Sequence, residues 1–168
     1  MKKIIIINGK PGVGKDLFAS FLKEAFDENR IEAIIYSSVD QVKRAANILG
    51  WNGTKTPENR DALSKLKDLS SSCWNGPFKD MDHIARGIKE DQALILMIRE
   101  PAEIEKFVFA WPNTKTILIQ RDIYDASNNH ADLCVEDYRY DMYIENNSIE
   151  YDLLASAKLF VENYLEGE

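Results

Sequence analysis

The stretch GKPGVGKD, Gly9 to Asp16, follows a run of four isoleucines, Ile4 to Ile7, with Asn8 between them. Such an unbroken β-branched run reads as a strand buried on both faces, as in a parallel sheet. The glycines break it, and Leu17, Phe18, Phe21, Leu22, Ala25 and Phe26 then recur with helical period. A strand, a glycine turn and a helix in this order gather backbone N–H groups at a helix N-terminus, which suits an anion. The spacing is that of the phosphate-loop pattern G-x-x-x-x-G-K-[ST], and one residue departs from it: Asp16 stands where a hydroxyl belongs.

The alternation continues along the chain. Ala33 to Tyr36 reads as a second strand, and Val39 to Leu49 as a helix with Ser38 at its N-cap. GWNG ends that helix, and Thr56-Pro57 opens another carrying Ala62, Leu63, Leu66 and Leu69. SSSCWNGPF reads as a loop, and Met81, Ile84, Ala85 and Ile88 mark a short helix. ALILMI and TILIQ are the third and fourth strands, with a helix over Pro101 to Phe109 between them. A polar stretch covers Arg121 to Asp137, YDMYI is the fifth strand, and Asn147 with Glu150 makes a capping-box-like start to the last helix. These elements predict one α/β domain over residues 1–168, a five-stranded parallel sheet flanked by helices. In such sheets ligands lie at the carboxyl ends of the strands. Gly9–Asp16, Ser37–Asp40, Arg99–Glu100 and Arg121–Asp122 would share that rim.

A net charge of −7 argues against sequence-independent binding to DNA or RNA, which needs a basic face, but not against a small phosphate. Cys73 and Cys134 form no C-x-x-C pair, and His83 and His130 lack metal-ligand spacing. The apolar run at the start is too short for a secretory leader, and no segment is long enough to span a membrane, so a cytoplasmic location is expected.

On the rim, Gly9, Lys10, Pro11, Gly12, Val13, Gly14, Lys15 and Asp16 form the predicted cradle, with Lys15 reaching the outer phosphates as a point charge. Asp16 either holds Mg²⁺ or one of its waters, or is a first-turn acid favoured by the helix dipole. Arg60, Arg99 and Arg121 are the cations available to offset phosphoryl charge. Asp40 binds an acceptor hydroxyl or starts a helix, and Trp51 or Trp74 stacks on a base or packs under a loop.

With these motifs together the chain resembles the P-loop nucleoside-monophosphate kinase superfamily, and within it the phage-type deoxynucleoside monophosphate kinases, whose phosphate loop also ends in Gly-Lys-Asp. MIREPAEIE resembles their segment after the third strand and matches Arg99 and Glu103 to its arginine and glutamate. LIQRD resembles the strand leading into a lid, and YDMYIENNSIEYDL the terminal segment that places Asp141, Ile144 and Asn146. The resemblance implies the P-loop fold, a helical acceptor-binding insert over about residues 40–82 and a short lid over 121–137. It implies ATP and Mg²⁺ as cofactors, and phosphoryl transfer to a small phosphorylated acceptor such as a (deoxy)nucleoside monophosphate. Lys15, Arg99 and Arg121 would then be catalytic, Asn146 would join the nucleotide-binding residues, and Asp40, Arg60, Trp74 and Arg99 would meet the acceptor. Small nucleotides are the expected partners, with no nucleic-acid polymer and no membrane. Two features depart from the pattern. Met97 occupies the position of an aspartate that helps to hold Mg²⁺, for which Glu100 is a candidate replacement, and the insert matches no specificity pattern. A kinase of a non-nucleotide metabolite, or a nucleotide-binding module with little catalysis, are the competing readings.

Overall fold

The computed structural model describes residues 1–122, 134–147 and 150–167. Its strands are β1 (Lys3–Asn8), β2 (Glu32–Ser37), β3 (Gln92–Met97), β4 (Lys115–Gln120) and β5 (Met142–Glu145). The helices are α1 (Lys15–Glu28), α2 (Asp40–Ile48), α3 (Pro57–Trp74), α4 (Gly76–Gly87), α5 (Pro101–Ala110) and α6 (Glu150–Glu166). All four strand pairings are parallel, in the order β2-β3-β1-β4-β5. β1 is therefore central, with Ile5 opposite Ile95 on one side and Lys115 on the other.

That position accounts for the isoleucine run. Ile5 and Ile7 face a core built with Phe18, Leu22 and Phe26 of α1 and Phe160 and Val161 of α6. Ile4 and Ile6 face the opposite core, with Met81 and Ala85 of α4 and Ile104 and Phe107 of α5. Each fully buried side chain of this size stabilises the fold by about 1.5–3 kcal/mol relative to an exposed one.

Side chains close the ends of the layers. The Lys2 ammonium donates to the carbonyls of Ala85, Arg86 and Ile88, which satisfies the carboxyl end of α4 and complements its dipole. At the amino end of the sheet, Asp141 accepts from the N–H and the hydroxyl of Thr116, both at 2.8 Å, and so clasps β5 to β4.

Two local expectations are corrected. Ser38 does not cap α2: the Asp40 carboxylate accepts from the Ser37 N–H at 2.9 Å instead. SSSCWNGPF is not a loop: α3 runs on to Trp74, Asn75 alone adopts a left-handed conformation (φ 55°), and α4 starts at Gly76. Serines are tolerated inside a helix, so one αL residue followed by Pro77 suffices to turn the chain. The Asn147 side chain exchanges two hydrogen bonds with Asp122, at 2.7 and 3.0 Å, and so ties the end of β4 to the end of β5. Thr56 does cap α3, accepting from the Asn59 N–H. Residues 123–133 of the expected lid, and Ile149 of the last helix, lie outside the described residues.

Candidate active site

The glycine loop sits at the carboxyl end of the central strand and opens into α1. Two of its glycines are sterically required. At Gly9 (φ 151°) a Cβ would stand 2.5 Å from the Ile119 carbonyl oxygen, so the loop runs close over the end of β4. At Gly14 (φ 98°) a Cβ would stand 2.5 Å from the Asn146 side-chain nitrogen. Asn146 is buried and donates from its side chain to the Val13 carbonyl at 2.9 Å, while its backbone N–H donates to the Gln120 carbonyl at 2.7 Å. It thus braces the loop from behind. Val13 itself is buried in the α1–α6 core, which pins the middle of the loop. The Lys15 ammonium reaches back across the loop to the carbonyls of Gly9 and Lys10. Pro11, Gly12 and Asp16 are exposed, Asp16 in the first turn of α1.

Beside the loop lies a cleft of about 200 Å³, bordered by Lys10, Val13, Arg121, Asp122, Glu136 and Asn147 among others. Lys10 pairs with Glu136 at 3.1 Å across it. Arg121, at the end of β4, therefore belongs to the same opening as the loop. Arg99 is exposed at the end of β3, and its carbonyl accepts from the Asn8 side chain at 2.9 Å, so its backbone is fixed to the loop's first residues.

The remaining candidates are distributed otherwise. Both Asp40 oxygens are engaged, one by the Ser37 N–H and one by Lys43 at 2.9 Å. Arg60 and Trp74, both exposed, stand fourteen residues apart on one unbroken helix, about 21 Å along its axis. The Trp51 indole donates to the Thr54 carbonyl and closes its own loop. Met97 is half-buried against the α1–α6 core. Glu100 is held by Lys67 at 2.5 Å, and the same ammonium lies 3.0 Å from Glu103. Glu103 is largely buried, and that burial pushes its carboxyl above the usual range despite the lysine. Among the described residues no cluster of three or more His, Cys, Asp or Glu could hold a metal.

Three groups escaped the sequence reading. Lys67 is the one residue α3 buries, where a lysine ordinarily signals a solvated face. Tyr36 of β2 donates to Asp80 of α4, and Arg44 of α2 binds both; burial and the Asp80 carboxylate push the phenol up to about 12. Asn8, fully buried at the end of β1, bonds Gly9, Arg99 and Tyr140. The only available signal was a polar residue ending an apolar strand.

No family model matches this sequence, and no curated protein does. Solved structures do match. The Mycobacterium tuberculosis APS kinase in complex with AMPPNP and APS aligns over 96% of this chain and 98% of its own, at 11% identity and a TM-score of 0.57. The fold is that of the P-loop kinases. Shikimate kinase from Aquifex aeolicus aligns over 98% of this chain and 99% of its own, at 16% identity and a TM-score of 0.53. A sugar kinase from Janibacter sp. aligns over 96% and 95%, at 14% identity and a TM-score of 0.52. These kinases are named for three different acceptors, so the shared P-loop kinase fold leaves the acceptor of this chain open. None of the described helices is long and apolar enough to cross a membrane.

Proposed function

We propose that this chain binds ATP on Gly9–Asp16 and transfers its γ-phosphoryl group to a small phosphorylated acceptor, foremost a (deoxy)nucleoside monophosphate. The observation that carries this reading is the loop itself: glycines at positive φ that follow the central strand, run close over the end of β4, open a helix and are crossed by Lys15. Backbone N–H groups and a helix N-terminus suit a polyphosphate, and Lys15 and Lys10 supply cations beside them. The donor set fits Mg²⁺ only sparsely, through the Asp16 carboxylate; that suits an ion that keeps most of its waters and takes oxygens from phosphate. When bound, the ion would neutralise charge on the phosphate oxygens. Lys15 holds the outer phosphates, Arg99 draws the acceptor phosphate toward the loop, and Arg121 adds charge from the cleft side. The helices α2 to α4 form the acceptor side. Small nucleotides are the proposed partners and a cytoplasmic setting the proposed location.

A second reading, a nucleotide-binding module with little turnover, draws support from a specific feature. At the end of β3 the metal-aspartate position is Met97, and Glu100, the nearest carboxylate in sequence, is occupied by Lys67. Titration of ATP with and without Mg²⁺, followed by a screen of nucleoside monophosphates and non-nucleotide metabolites for ADP release, separates the readings. ADP release with a monophosphate supports the kinase; tight ATP binding with no acceptor-dependent release supports the module. Failure to bind ATP at all overturns both.

A further inference from the structure

Asn8 is 0% exposed and uses every polar atom of its side chain. Its oxygen accepts from the Gly9 N–H at 2.7 Å; its amide donates to the Arg99 carbonyl at 2.9 Å and to the Tyr140 hydroxyl at 2.7 Å. The Tyr140 hydroxyl in turn donates a hydrogen bond to the Val135 carbonyl, also at 2.7 Å. Val135 is buried in a single 3₁₀ turn, Val135–Asp137, whose next residue, Glu136, pairs with Lys10 of the loop. The path therefore closes on itself: Gly9, Asn8, Tyr140, Val135, Glu136 and Lys10. It brings together residues separated by 132 positions between Asn8 and Tyr140, and by 91 between Asn8 and Arg99.

A buried carboxamide with all its groups satisfied holds its neighbours in one geometry, because any displacement leaves a polar group unpaired in a dry setting. Burial also raises the Tyr140 phenol, so the hydroxyl stays protonated and keeps donating. We infer that Asn8 is a positioning residue, fixing the first N–H of the phosphate loop and the backbone of Arg99 in one frame, and that Tyr140 extends this frame to the turn at Val135–Asp137. This role rests on the kinase reading for its catalytic consequence but not for its geometry. Arg99 acts on phosphoryl charge only if its backbone is held relative to the loop, and a misplacement of about 1 Å can cost a hundredfold in rate.

The test uses the full-length chain with Asn8→Ala, Tyr140→Phe and the double variant. Tyr140→Phe keeps the aromatic ring and removes only the hydroxyl, so it preserves the fold if Asn8→Ala does not. Without nucleotide, amide hydrogen exchange at Gly9 should accelerate about tenfold or more in Tyr140→Phe, while Leu22 and Phe26 of α1 keep their wild-type rates, which marks a local opening rather than global loosening. In phosphoryl transfer, Asn8→Ala should lower kcat about tenfold or more with a smaller change in KM for ATP. Because both side chains act along one path, the double variant should be no slower than Asn8→Ala alone. Wild-type exchange at Gly9 in Tyr140→Phe, or additive losses of kcat, overturns the role. If the wild-type chain transfers phosphoryl to no acceptor, the kinase reading fails, and the exchange measurement still decides whether Asn8 and Tyr140 set the loop.

Discussion

Around Gly9–Asp16 the chain is shaped by backbone: positive φ angles, a strand end beneath and buried amides of Asn8 and Asn146 behind. Across the rim, α2 to α4 are shaped by side-chain charge. There Lys67 bridges Glu100 and Glu103, Arg44 joins Tyr36 to Asp80, and α3 buries no apolar side chain of its own. Backbone geometry tolerates few sequences and serves one ligand class. A frame of ion pairs can be rebuilt with other residues, which suits the part of a kinase fold that changes between acceptors.

The largest effect should come from the loop. Lys15→Ala is expected to lower phosphoryl transfer about a thousandfold, roughly 4 kcal/mol, and to weaken ATP binding, with thermal unfolding unchanged. Normal turnover in that variant would reduce the loop to a structural turn. On the insert side, Lys67→Met leaves two carboxylates without their cation. Breaking a buried pair costs about 3–5 kcal/mol, and the one-third exposure of the Glu100 side chain puts the expected loss near 3. Its pH dependence has a definite sign. Burial already raises the Glu103 carboxyl, and removing Lys67 takes away an influence that lowers it. The folded variant then binds a proton more readily than the unfolded chain, so stability is regained as pH falls below its raised value. Urea denaturation at neutral and mildly acidic pH checks this, and a deficit that grows on acidification refutes the assignment.

Gly14→Ala sharpens the contrast from the backbone side. The new Cβ must displace the Asn146 amide from Val13 in a left-handed conformation, with an expected loss of about 2 kcal/mol in chemical denaturation. The smallest effect belongs to Asp16→Ala: ATP affinity should fall a few-fold, under about 1 kcal/mol, with Mg²⁺ and not without it. Equal shifts in both titrations assign Asp16 to the helix terminus.

The same contrast explains what the sequence disclosed. The strands announce themselves because burial on both faces leaves only apolar residues, and the loop because its glycines are required by neighbours lying close to the backbone. The arrangement of the insert depends on pairings such as Lys67 with Glu100 and Arg44 with Asp80, more than thirty residues apart. Each partner alone looks like a solvated charge. Asn75 shows a subtler failure: polar composition over residues 70–78 suggested a loop, yet a single αL residue does the turning. Asn8 left only the faint signal of a polar residue ending an apolar strand, since two of its partners come from just past β3 and just before β5.

The close approach of Gly9 to Ile119, and of Gly14 to Asn146, also sets an order of assembly. The loop ends at Asp16, yet the atoms that floor and brace it, on Ile119 and Asn146, are synthesised more than a hundred residues later. Parallel pairing of this range closes slowly, since entropy is lost before the contacts reward it. A nascent chain ending before Asn146 would carry every letter of the motif without the shape that binds phosphate, so nucleotide could first hold this fold together only once Asn146 has been synthesised.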